Sequence, residues 1–188
     1  EENLKIEQKL TGNYHALQGK VGTLTRINRT LTKSVSALKK ALSSSQLSCV
    51  IELMQQDNKL IAVDGISGSG KSILSKELVA MLQAQGFNPV LLTPRAIDAS
   101  EISDAGIKAM SVSAYIKKQE VNQRVLKAHA QHLDLSNEVM IVDDAHRLSP
   151  KQGAALLNLQ ASFDARSILM IDGHAPESLS PGSFIKTL

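Results

Sequence analysis

The chain of 188 residues carries 21 Lys and Arg against 18 Asp and Glu, a formal charge of +3, with 43% hydrophobic and 3% aromatic content. That length and apolar content support one core, so one nucleotide-sized domain fits and two do not. No apolar run approaches the roughly 18 residues of a membrane span, Glu1-Glu2 is unlike the start of a signal peptide, and the single Cys49 rules out an internal disulfide and suits a reducing, cytoplasmic setting.

In chain order, the first segment stands apart by charge. Residues 1–45 hold eight basic side chains against three acidic ones, a net of +5, and the remainder holds thirteen against fifteen, a net of −2. Residues 1–41 are therefore expected to form a basic arm, either a solvated helical extension or a contact for nucleic-acid phosphates. With no Trp and only five Tyr and Phe residues, base stacking is a poor route to such binding. Leu31, Val35, Leu38 and Leu42 keep a helical spacing within the arm, whereas Gly12, Gly19 and Gly22 interrupt the pattern before it. With no initiator Met and no tail after Lys186-Thr187-Leu188, the sequence reads as a piece of a longer protein.

From Ser45, taken as an N-cap, Leu47, Val50, Ile51 and Met54 predict a helix leading to a strand over 60–64. A helix over 71–85 follows and is ended by Gly86, then a strand over 89–93 and helical stretches around 98–107 and 111–132. A strand over 138–143, a helix started by Pro150 and running to about Gln160, and a strand over 167–172 complete the series. Apolar strands alternating with helices predict an α/β fold whose parallel sheet of four to five strands is covered on both faces. There is no internal repeat and no low-complexity tract.

Two motifs carry chemistry. Gly65-Ile66-Ser67-Gly68-Ser69-Gly70-Lys71-Ser72 is a complete G-x-x-x-x-G-K-[ST] phosphate loop between a predicted strand and a predicted helix. Glycines at Gly65, Gly68 and Gly70 let backbone N–H groups turn toward one phosphate, Lys71 would reach the outer phosphates, and the Ser72 hydroxyl would hold Mg²⁺. A glycine-rich turn that binds nothing, or a loop that has kept its shape and lost its enzymatic task, fits the same residues. The second motif, Val139-Met140-Ile141-Val142-Asp143-Asp144-Ala145-His146, delivers an acidic pair from the end of an apolar strand. Asp143 would stand where Mg²⁺ beside a bound triphosphate sits, Asp144 would orient water, and His146 would pack beside them. Lys71, Asp143 and Asp144 are thus the candidate catalytic residues, with ATP and Mg²⁺ the expected cofactors.

Gln46, the phosphate loop, Thr93-Pro94-Arg95, Met110-Ser111-Val112, Asp143-Asp144-Ala145-His146 and Met170-Ile171-Asp172-Gly173 together resemble the first RecA-like motor domain of superfamily-1, RecD-type DNA helicases. Within that group the chain is most similar to the degenerate helicase region of F-type conjugative relaxase-helicases, over residues of about 42 to 175. The resemblance implies a RecA-like domain over 42–188, Gln46 reading adenine, Lys71 and Ser72 on phosphate and Mg²⁺, Asp143 on Mg²⁺, and the Thr93, Pro94 and Arg95 region facing single-stranded DNA. It also implies, as partners, the other domains of a parent relaxase-helicase and conjugation or secretion machinery.

The chain departs from that family in three ways. Asp144 stands where the family has Glu, one methylene longer, which weakens the expected hold on water. Ile171-Asp172-Gly173-His174-Ala175 keeps the Asp of the family's Gly-Asp-x-x-Gln run and lacks its Gln. A second motor domain is absent from these residues, so the chain alone is expected neither to unwind DNA nor to turn over ATP appreciably. Two other functions remain open: a small-molecule kinase, because Asp64 to Ser72 also resembles the loop of uridine-kinase-type enzymes, and a non-catalytic interaction module. The kinase lacks its arginine-rich lid, since only the scattered Arg95, Arg124, Arg147 and Arg166 lie beyond the arm. His129, His132 and Asp134 could be metal ligands or bystanders at a polar helix end, Cys49 is expected in the core, and Arg95 either meets DNA or caps a strand end.

Overall fold

The structure is a computed structural model that describes residues 42–65, 68–104 and 108–172. The arm, Ile66 and Ser67 of the phosphate loop, and Gly173, His174 and Ala175 lie outside the described residues, as does nearly all of the helix predicted from Leu31.

Among the described residues five helices and five strands alternate: α1 (Ser44–Gln55), β1 (Leu60–Asp64), α2 (Lys71–Ala84), β2 (Asn88–Thr93), α3 (Ala96–Asp104), β3 (Ala109–Ser111), α4 (Val112–Ala128), β4 (Glu138–Val142), α5 (Pro150–Phe163) and β5 (Arg166–Ile171). A single 3₁₀ turn, Ala145–Arg147, follows β4. The strands form one all-parallel sheet in the order β1-β5-β4-β2-β3. This is the α/β architecture of a RecA-like P-loop NTPase domain.

The central strands β4 and β5 are buried on both faces by crossover helices, as the strands of a parallel sheet are. Along β4, Val139 and Ile141 join Val50, Met54, Leu78 and Leu82 of α1 and α2 on one face. Met140 and Val142 join Tyr115, Leu156 and Leu157 of α4 and α5 on the other. All four β4 residues are fully buried. Burying side chains of this size contributes about 1.5–3 kcal/mol each, which makes β4 the best-anchored strand.

Local chemistry sets most boundaries. Ser43, rather than the expected Ser45, caps α1 and forms a reciprocal capping box with Gln46. Ser149 and Gln152 do the same for α5, with Pro150 in its first turn. Gly86, at φ +81°, lets the chain leave α2. Two expectations are corrected. Residues 109–111 form a short strand beside β2 where the sequence predicts no strand and begins a helix at 111; Ser111 is instead the N-cap of α4. That helix ends at Ala128 and not near 132, because His129 is its C-cap and Ala130 takes φ +55°.

The order of strands builds a crevice. From β1 the chain crosses by α2 to β2 and β3, then returns by α4 and α5 on the opposite face to fill β4 and β5 beside β1. The ends of β1, β5 and β4 therefore open where the connections diverge, which is where ligands of open α/β sheets sit.

Candidate nucleotide-binding site

The phosphate loop joins β1 to α2. The Gly65 N–H extends the ladder by donating to the Ile171 carbonyl at 3.1 Å, which fixes the loop's entry against β5. At its exit Gly70 has φ +84° and ψ 26° and is the N-cap of α2, with no side chain capping the helix. The first N–H groups of α2 thus face the loop with the positive end of the helix dipole. A Cβ on Gly70 would lie 2.3 Å from the Gln46 Nε2, a side-chain tip that would have to move aside, and the left-handed backbone is what favours glycine here.

Gln46 is braced at both ends of its amide. Its Oε1 accepts the Ser43 N–H at 2.9 Å, and its Nε2 donates to the Ser69 carbonyl at 2.8 Å. The capping box of α1 therefore aims a side chain into the loop 23 residues further along the chain. The residue singled out by resemblance lies against the phosphate loop.

Strand β5 lies between β1 and β4, so the loop and the acidic pair are two strands apart, and side chains close the gap. The Ser72 hydroxyl donates to the Asp143 carboxylate. Asp143 is 7% exposed, and its N–H donates to the Leu92 carbonyl at 2.8 Å. Burial pushes its carboxyl above the ordinary value of 3.8, helped by the like charge of Asp144, while Ser72, the Asp144 N–H and Lys71 act the other way. Bringing a cation to this carboxylate would relieve that cost, so Ser72 and Asp143 suit Mg²⁺.

Asp144 differs from its neighbour. It is half-buried, holds the left-handed backbone at φ 50°, and its Oδ2 accepts weakly from the Arg147 Nη1 at 3.5 Å. The Lys71 ammonium donates to the Gly65 carbonyl at 2.5 Å and lies 3.6 Å from Asp172 Oδ2. Lys71, Ser72, Asp143 and Asp172 thus converge at the ends of three strands. The positive-φ glycines, the uncapped helix and this charge set fit a magnesium-bound nucleoside polyphosphate.

The Thr93-Pro94-Arg95 loop is less open than expected. Thr93 and Pro94 are buried; the Thr93 hydroxyl donates to the Arg95 carbonyl at 2.7 Å, and the Pro94 carbonyl accepts from Gln152 Nε2 at 2.9 Å. Only Arg95 offers an exposed side chain, and its guanidinium forks onto Asp98 at 2.8 and 2.5 Å. The metal reading of His129, His132 and Asp134 is corrected: among the described residues no three His, Cys, Asp or Glu side chains gather as a ligand set. The end of α4 at Ala128 breaks the helical spacing that would have aligned the histidines, and Asp134 instead accepts from the Ser136 N–H at 2.9 Å. Cys49 packs half-buried against the α1–α2 core, where burial and then Glu52 push its thiol upward, away from nucleophile character.

Residue-by-residue reading missed Gln152 and the contact of Asp172 with Lys71. The Ser149–Gln152 capping-box spacing could have flagged the first. The second is a meeting of residues 101 positions apart, for which the sequence carried only an Asp at a strand end.

Fold and site together define a P-loop NTPase domain. The chain belongs to the AAA domain family, whose model matches residues 41–188, and that family generally binds ATP with Mg²⁺. No curated protein matches the sequence significantly. Among the described residues no helix is long and apolar enough to cross a membrane.

Proposed function

We propose that this domain is a RecD-like, superfamily-1 helicase motor domain serving a supporting role in an F-type conjugative relaxase-helicase of the TraI type. It holds ATP and Mg²⁺ and contributes single-stranded DNA or partner contacts to plasmid transfer, and unwinding is driven elsewhere in the parent protein. The observation that carries the nucleotide part is the convergence of Lys71, Ser72 and Asp143 across an intervening strand. Lys71 and the N-terminus of α2 would hold the phosphates, and Ser72 and Asp143 the metal. A loss of hydrolytic power fits the shorter Asp144 and its neighbour Arg147: a general base needs hydrogen-bond reach to the water it activates. For DNA, the basic arm and Arg95 are the contacts the charge distribution favours, the latter by exchanging Asp98 for a phosphate.

Nucleotide titration with Mg²⁺ tests the core of this reading. Amide resonances of Gly68, Gly70 and Lys71 should move saturably, the Lys71→Ala protein should show no such shifts, and ATP should remain essentially unhydrolysed with or without DNA. Multiple turnovers per second, abolished by Lys71→Ala, would contradict the supporting role; absence of any shift would contradict nucleotide binding.

A further inference from the structure

The Lys71 ammonium spans the ends of two strands, reaching the Gly65 carbonyl after β1 and the carboxylate of Asp172 after β5. The ion pair is shielded from water, with 10% of the lysine and 5% of the aspartate side chain exposed. Asp172 is also held through its backbone: its N–H donates to Nδ1 of His146 at 3.3 Å. His146 lies in the 3₁₀ turn that follows the acidic pair, so this bond ties the strand end carrying Asp172 to the turn carrying Asp143 and Asp144. Because Nδ1 accepts, the imidazole proton sits on Nε2.

A phosphate entering the loop needs the same ammonium that Asp172 already engages. Two anions then compete for one buried cation, and their mutual repulsion is weakly screened there. Like charges placed together in a desolvated site lower affinity.

We propose that Asp172, positioned by His146, is the resident counter-ion of Lys71 and sets the loop's affinity for polyphosphate, which binds by displacing the carboxylate from the lysine. This role rests on the nucleotide reading above and adds to it the residue that tunes that site. It differs in sign from a structural one. A pair that merely braced the loop would weaken binding when broken, whereas removal of a competitor strengthens it.

Calorimetric titration of the full chain with ATP and Mg²⁺, and separately with pyrophosphate, distinguishes the two. Asp172→Asn is expected to bind both about tenfold more tightly than wild type, a difference of about 1.4 kcal/mol. His146→Ala, which keeps the carboxylate and frees its strand end, should shift affinity in the same direction by less. If wild type binds and a folded Asp172→Asn protein binds equally or more weakly, the counter-ion role is overturned while the nucleotide reading stands. If neither protein binds, both are overturned. Should Asp172→Asn fail to fold, the wild-type protein decides: the Asp172 carboxylate carbon resonance should move together with the Gly68 and Gly70 amides as ATP is added. Amide shifts with a stationary carboxylate resonance would overturn the proposal.

Discussion

Asp143 shows how one buried carboxylate links stability to ligand. Its carboxyl titrates above the ordinary 3.8, chiefly through burial and then through Asp144, so the folded protein binds this proton more tightly than the unfolded chain does. The corresponding stability is full below pH 3.8 and is lost as pH rises through the raised value, so at neutral pH the ionised group costs the fold. Asp143→Asn should therefore stabilise the metal-free domain at neutral pH. The gain should vanish below pH 3.8, where the native group is already neutral. Urea unfolding of both proteins in chelator-treated buffer checks this, and an equal difference at both pH values would contradict it. Among residues, Lys71, Ser72 and Asp143 were legible because their motifs demand those side chains for phosphate and metal. Asp172 was not, since its role depends on meeting Lys71 across two strand ends.

Elements are bounded here by short-range chemistry, and α5 makes the point. Its Ser149–Gln152 box satisfies the first turn, while Gln152 Nε2 also donates to the Pro94 carbonyl and to the Ser113 hydroxyl at 3.2 Å. One side chain thereby joins the start of α5 to the segments that follow β2 and β3. Ser149→Ala should cost about 1 kcal/mol of stability as a lost cap. Gln152→Ala should cost at least as much and, unlike Ser149→Ala, should accelerate amide exchange across Arg95 to Ala99; equal exchange in both variants would show that Gln152 acts only as a cap. The long elements were legible from periodicity and caps. Strand β3 was not, because three residues, Ala109, Met110 and Ser111, are too few to show alternation, and only pairing with Leu91 to Thr93 makes them a strand.

For the molecule as a whole, the charge division between arm and core is the feature that bears on DNA. If the arm supplies the phosphate contacts, single-strand binding will be sequence-independent and fall steeply with salt. Deletion of residues 1–41 should then remove most of it, measured by fluorescence anisotropy over a salt series. Unchanged affinity after deletion would move the contact to Arg95 on the core, where Arg95→Ala should abolish it.

The class of fold and the phosphate-loop motif are set within the chain itself: apolar runs at strand length, helical spacing between them, and a glycine-lysine-serine loop all act over short sequence distances. Strand order is not, because any of several parallel orders buries the same runs. Packing placed β5 between β1 and β4, and with it Asp172 against Lys71. The closed state of Thr93 and Pro94 was likewise set by Gln152, 58 residues beyond Pro94. Contacts of that range follow from how the layers stack, and no local pattern of residues encodes them.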